Sequence, residues 1–325
     1  MTKPKRQYNQ RREGISSVKY LRYRRFGCMV SWSSGIFKYS KKLILLENNR
    51  ERKKEMFWKR VIVDPRPTAA DFPRRIWTKE EIPPEYNPFL KPYTEQGIEL
   101  GQLLFVPKPP YRSQLREYML GHFGKSLVYL EKQEDNSVRK YMINREEICC
   151  LRSSEDLLIG EICIYWKQKD EIQKILICFN RSRKELFEPF LDWLTDSPKS
   201  PDPCELMKEA PHTEKLKNDH FVLYNYSEAA YRFGISCGYW RWWKLGNVKL
   251  WRKKRDEPAV LYCYMERGDV VIKFQNTRID TWYLFPDKST ANVVNDKKGV
   301  RLALYVEEQL INAFYPLREE HDLEE

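Results

Sequence analysis

From residue 113 onward, apolar positions fall into short runs with two different periods. Ser113–Phe123 carries the spacing of a short helix. Leu127–Leu130 and Val138–Ile143 are strand-like and are joined by the polar turn Gln133–Asn136. Leu157–Trp166 and Ile172–Phe179 predict a second hairpin that turns at Lys167–Glu171. In its first strand Ile162, Ile164 and Trp166 alternate with Cys163 and Tyr165, so both faces are largely apolar. The period then lengthens. Ser182 and Glu185 form a capping-box pair, and Leu186, Phe187, Phe190, Leu191 and Leu194 share one helical face, with Pro189 imposing a kink or a later start. After a linker over Thr195–Asn218, Ser227–Phe233 predicts a short helix stopped by Gly234. Val248–Trp251, Ala259–Met265, Val270–Phe274 and Ile279–Phe285 are strand candidates, and Leu302, Val306, Leu310 and Ala313 place a last helix before Pro316.

Helix, four strands, helix thus occurs twice, which predicts an α+β fold of two small units, each an antiparallel sheet with helices. Upstream the pattern is absent. Ten of the 19 prolines fall within residues 65–110, and proline fixes φ and removes a donor, so this stretch reads as extended or turn-rich. The expected organisation is a basic N-terminal arm (1–60), a proline-rich extended segment (61–112), an α+β domain (113–196), a linker (197–218), a second α+β domain with a Trp/Arg-rich surface (219–316) and a frayed acidic tail (317–325).

Charge sharpens that division. Residues 1–60 hold 18 Lys and Arg against 4 Asp and Glu, a local balance of +14, so the remaining residues sum to −2 of the chain's +12. Such asymmetry suits attraction to nucleic acid, an acidic protein face or an anionic surface. Within the arm, Arg22, Arg24 and Arg25 stand beside Tyr20 and Tyr23, a combination that neutralises phosphates and stacks bases. The mean hydropathy of −0.70 indicates a chain with much solvated surface. No run approaches the length of a membrane span and no signal-peptide pattern opens the chain, so the reading is cytosolic or nuclear.

The chemistry-bearing residues show no familiar catalytic spacing. His122, His212, His220 and His321 lie outside the nucleophile-elbow and zinc-helix contexts, and the 13 glycines form no phosphate-cradling loop, so the chain reads as a non-enzyme without a cofactor. Cys204, His212, His220 and Cys237 offer the ligand number of a tetrahedral zinc site without its usual spacing, and unrelated loop residues are the simpler reading. The remaining cysteines have no regular spacing; Cys163, Cys178 and Cys263 sit in apolar runs, where a thiol packs as a small hydrophobe.

The most distinctive run is Gly238-Tyr239-Trp240-Arg241-Trp242-Trp243-Lys244, followed by Trp251 and the cluster Arg252-Lys253-Lys254-Arg255. Rings interleaved with cations suit a partner contact, and Trp240, Arg241, Trp242, Trp243 and Trp251 are the expected partner-binding residues. A core strand with buried indoles is the competing reading for Trp240 and Trp242. The basic cluster also reads as a nuclear-import or nucleic-acid patch.

With this run, the proline-rich middle and Phe26-Gly27-Cys28-Met29-Val30-Ser31-Trp32, the chain resembles the Bel/Bet accessory proteins of foamy (spuma) retroviruses. The resemblance is one of composition and order. It implies a non-enzymatic viral accessory protein, in host cytoplasm and nucleus, that antagonises antiviral cytidine deaminases by binding them. It transfers no functional residue by position. Acidic activation-type segments of that family's transactivator are absent, which favours the non-transactivating member. The alternative is a basic nucleic-acid-binding regulatory or ribonucleoprotein component acting through the arm.

Overall fold

Alternation with period two extends much further along the chain than the two hairpins around Gln133 and Lys169. The computed structural model describes residues 72–96, 99–108, 116–197, 211–235, 237–246, 258–297 and 299–323, all within the unit Pro65–Glu325. A first antiparallel sheet comprises β1 (Arg74–Arg75), β2 (Leu104–Val106), β3 (Tyr118–Phe123), β4 (Ser126–Lys132) and β5 (Val138–Asn144), in that order. Helix α1 (Asn87–Thr94) falls between β1 and β2 in sequence. The second sheet holds β6 (Ile148–Asp156), β7 (Ile159–Gln168), β8 (Glu171–Asn180), β9 (Cys237–Leu245), β10 (Ala259–Met265), β11 (Gly268–Gln275) and β12 (Arg278–Leu284). A third comprises β13 (Ser289–Asp296), β14 (Gly299–Val306) and β15 (Gln309–Phe314), and β16 (Leu317–Asp322) returns to the second. That eight-stranded sheet runs β16-β9-β10-β11-β12-β6-β7-β8. Between β8 and β9 in sequence come α2 (Glu188–Leu194), α3 (Pro211–Asp219) and α4 (Phe221–Tyr226).

The eight-stranded sheet is central because both of its faces are covered. On one face Ile162, Ile164, Trp166, Ile175, Ile177 and Phe179 share a core with Leu104, Tyr118, Leu120, Leu127 and Ile143 of the first sheet. The same core continues to Trp240, Trp242, Leu261 and Ile272 with Phe190, Leu194, Leu216 and Leu223 from the helices. On the opposite face Trp243, Val260, Val271 and Trp282 meet Leu302, Leu304, Val306 and Phe314 of the third sheet. A third cluster joins Phe105, Met119, Val128 and Leu130 to Ile82, Tyr86 and Leu90 on the first sheet's other side. Each such buried side chain contributes roughly 1.5–3 kcal/mol of transfer free energy.

This architecture corrects the expected α+β class: the fold is mostly β, in three antiparallel sheets of five, eight and three strands. The two expected units are not separate sheets, because β12 pairs directly with β6, Arg278 opposite Asp156 through Leu284 opposite Cys150. The last expected helix is β14 and β15. Leu302, Leu304 and Val306 are buried at period two, and the helical spacing of Leu302, Val306 and Leu310 is coincidental. Tyr118–Phe123 is likewise strand rather than helix. The tail is not frayed over Leu317–Asp322, which pairs with β9. The linker contains α3, and the proline-rich segment contains α1, where Pro88 sits in the first turn, whose N–H groups need no intrahelical partner. The helix expected after Ser182 starts later: Asn180 caps a 3-10 turn by accepting the Ser182 N–H, and α2 begins beside Pro189. The Lys167–Glu171 turn is a tight one, with Lys169 and Asp170 at φ 49 and 67 between Gln168 and Glu171.

Candidate functional site

β9 carries the Trp/Arg run through the middle of the protein. Successive side chains of a strand point to opposite faces, and here both faces are covered. Trp240, Trp242 and Trp243 are 1%, 2% and 3% exposed, the first two in the core shared with the helices and the third against the third sheet. Their indoles are core, so the partner surface expected of them is not formed by these side chains. The cations between them are held by β16: Arg241 pairs with Glu320 and Asp322, each at 3.4 Å, and Lys244 pairs with Glu319 at 2.6 Å. The acidic tail thus neutralises the basic strand by cross-strand pairing. Trp251, Arg252, Lys253, Lys254 and Arg255 lie outside the described residues, as do Arg22, Arg24 and Arg25.

All four histidines lie against aromatic rings. His321 stacks on Trp242 at 4.0 Å, His212 meets Trp240 edge-on at 4.3 Å, and His220 faces Trp242 at 5.4 Å. His122 stacks on Trp193 at 4.7 Å. His220 caps α4, its Nδ1 accepting the Leu223 N–H at 3.2 Å. Burial pushes the His212 imidazole below its ordinary value, and burial followed by the Arg145 charge does the same for His122. Of the candidate zinc ligands, Cys204 and the Cys237 side chain are outside the described residues. His212 and His220 stand at opposite ends of α3, about 12 Å apart along its axis, against different tryptophans. Among the described residues no group of three or more His, Cys, Asp or Glu is placed to hold a metal ion.

A cleft of about 990 Å³ lies between α2 and the 3-10 turn Ser227–Phe233, floored by Ser153, Ile279, Thr281 and Tyr283 of β6 and β12. Its rim is charged in both signs and internally paired. Arg145 meets Asp196 at 2.7 Å, Arg181 meets Glu155 at 2.5 Å, and Arg232 bridges Glu188 and Asp192. Burial first, countered by Arg232, pushes the Tyr283 phenol up to about 12. Arg145 also lies over the Trp193 ring at 5.8 Å. A ligand entering here exchanges existing ion pairs for its own, which suits polar recognition more than apolar capture.

No protein-family model, curated protein or solved structure matches the chain.

One exposed feature had no signal in the sequence. Trp77, in the proline-rich segment, follows the buried Ile76 and is itself 66% exposed. Its backbone N–H donates to Glu81 Oε2 at 2.8 Å, and its ring covers Gly101, where an added Cβ would lie 3.1 Å from it. A single tryptophan in Arg-Arg-Ile-Trp-Thr-Lys has no periodic neighbours to show which way it points. The cleft was equally hidden, since its residues come from four distant stretches of chain.

Proposed function

We propose that this chain is a non-enzymatic accessory protein, of the Bel/Bet kind that it resembles, which binds and antagonises a host antiviral cytidine deaminase in cytoplasm and nucleus. The observation that carries the binding part is Trp77: a large indole held on the surface of the proline-rich segment. Tryptophan is enriched among residues that dominate association energies, because it buries much area with few rotors to order. The deaminase as partner is supported by the compositional resemblance. Among the described residues no helix is long and apolar enough to cross a membrane.

Co-purification of the deaminase with the full chain at moderate salt tests the reading. Trp77→Ala is expected to remove most of the recovered deaminase while leaving the unfolding midpoint within error, since the ring is exposed. Undiminished recovery would remove Trp77 as the contact. A second reading, nucleic-acid binding through the arm, is favoured by one observation: the +14 balance of residues 1–60 against a remainder of −2.

A further inference from the structure

We infer that the outer edge of β8 accepts an extended strand from a partner protein, and that Lys174 selects a strand carrying a carboxylate opposite it. This rests on β8 alone and does not depend on Trp77 or on the deaminase.

Among the described residues β8 pairs with β7 only, so one side of its backbone ladder is open. Three observations say which groups face outward. Gln168 and Glu171 flank the two-residue turn, the geometry in which that pair exchanges both hydrogen bonds. At the other end, the Arg181 N–H donates to the Leu158 carbonyl at 2.9 Å, so odd-numbered residues point at β7. In agreement, the Cys178 carbonyl is reached from outside by the Tyr118 hydroxyl at 2.9 Å. The amides and carbonyls of Ile172, Lys174 and Leu176 therefore face away from the sheet.

Their side chains share one face. Ile172 packs against the third sheet, Leu176 is 47% exposed, and Lys174 is exposed between them. Unlike Lys167, which meets Glu307 at 2.7 Å, Lys174 forms no ion pair among the described residues.

An open, largely apolar edge is a template for strand addition, and its side chains choose the guest. The same geometry disfavours a second copy. Antiparallel self-pairing of the open stretch about residue 174 sets Lys174 directly opposite itself, and like charges so placed are destabilising. Pairing further along needs the Cys178 carbonyl, which Tyr118 already engages. A guest with Asp or Glu opposite Lys174 and an apolar residue two positions away, against Leu176, satisfies both charge and burial.

The probe is a capped synthetic peptide, Thr-Val-Thr-Glu-Thr-Val-Thr, compared with its counterpart bearing Lys in place of the central Glu, both titrated against the full chain by fluorescence anisotropy. The Glu peptide is expected to bind about five- to tenfold more tightly, and Lys174→Glu is expected to invert the preference. Leu176→Pro, which deletes one outward N–H, is expected to abolish binding of both. Equal affinity for the two peptides, or a preference that Lys174→Glu leaves unchanged, overturns the inference. So does dimerisation of the wild-type chain that Leu176→Pro abolishes.

Discussion

Trp242 and Trp77 are the same residue type in opposite settings, one buried and one exposed. Trp242 lies beneath His321 and beside His220, 2% exposed, with its indole N–H buried and without an acceptor among the described residues. Removing such a ring takes away transfer free energy and leaves a cavity that the neighbouring imidazoles and Phe274 only partly fill. Trp242→Ala is expected to lower the unfolding free energy by about 3–5 kcal/mol, read from urea unfolding followed by circular dichroism. Replacing Trp242 and Trp243 together is therefore a test of folding rather than of binding. A midpoint unchanged by Trp242→Ala would contradict its placement in the core.

Strand pairing explains what single side chains do not. In β7, Gly160 stands directly opposite Phe179 of β8, and a Cβ at Gly160 would overlap the Phe179 ring. That ring in turn stacks on Phe187 at 3.8 Å, tying the hairpin to the 3-10 turn and α2. Glycine is required here by close approach rather than by its dihedral angles. Gly160→Val is expected to destabilise the protein by roughly 1–3 kcal/mol through displacement of Phe179. In a Phe179→Ala background the penalty should shrink markedly, and a double-mutant cycle of urea midpoints measures that coupling. The same scale shows why Leu302, Val306, Leu310 and Ala313 suggested a helix. A short run with apolar residues at most positions satisfies both periods, and pairing of β14 with β13 and β15 decided between them.

Across the whole molecule, charge is divided between an arm with a balance of +14 and a remainder of −2. If the arm tracks phosphates, affinity for a single-stranded nucleic acid should fall linearly in log–log against salt, by about 0.7 per phosphate neutralised. Deleting residues 1–60 should flatten that line, as measured by filter binding across a salt series; an unchanged slope would place the contact elsewhere. The local periodicities of β4, β5, β7 and β8, the interruption of the helical pattern at Pro189 and the charge asymmetry were determined by sequence alone, because each depends on neighbours a few residues apart. The joining of β12 to β6, the pairing of the acidic tail with Arg241 and Lys244, the double-sided burial of β9 and the exposure of Trp77 were decided only by tertiary structure. A strand rich in tryptophan and arginine looks the same whether it faces water or lies between two layers. What distinguishes the cases is which distant segments cover it, and no local pattern encodes that.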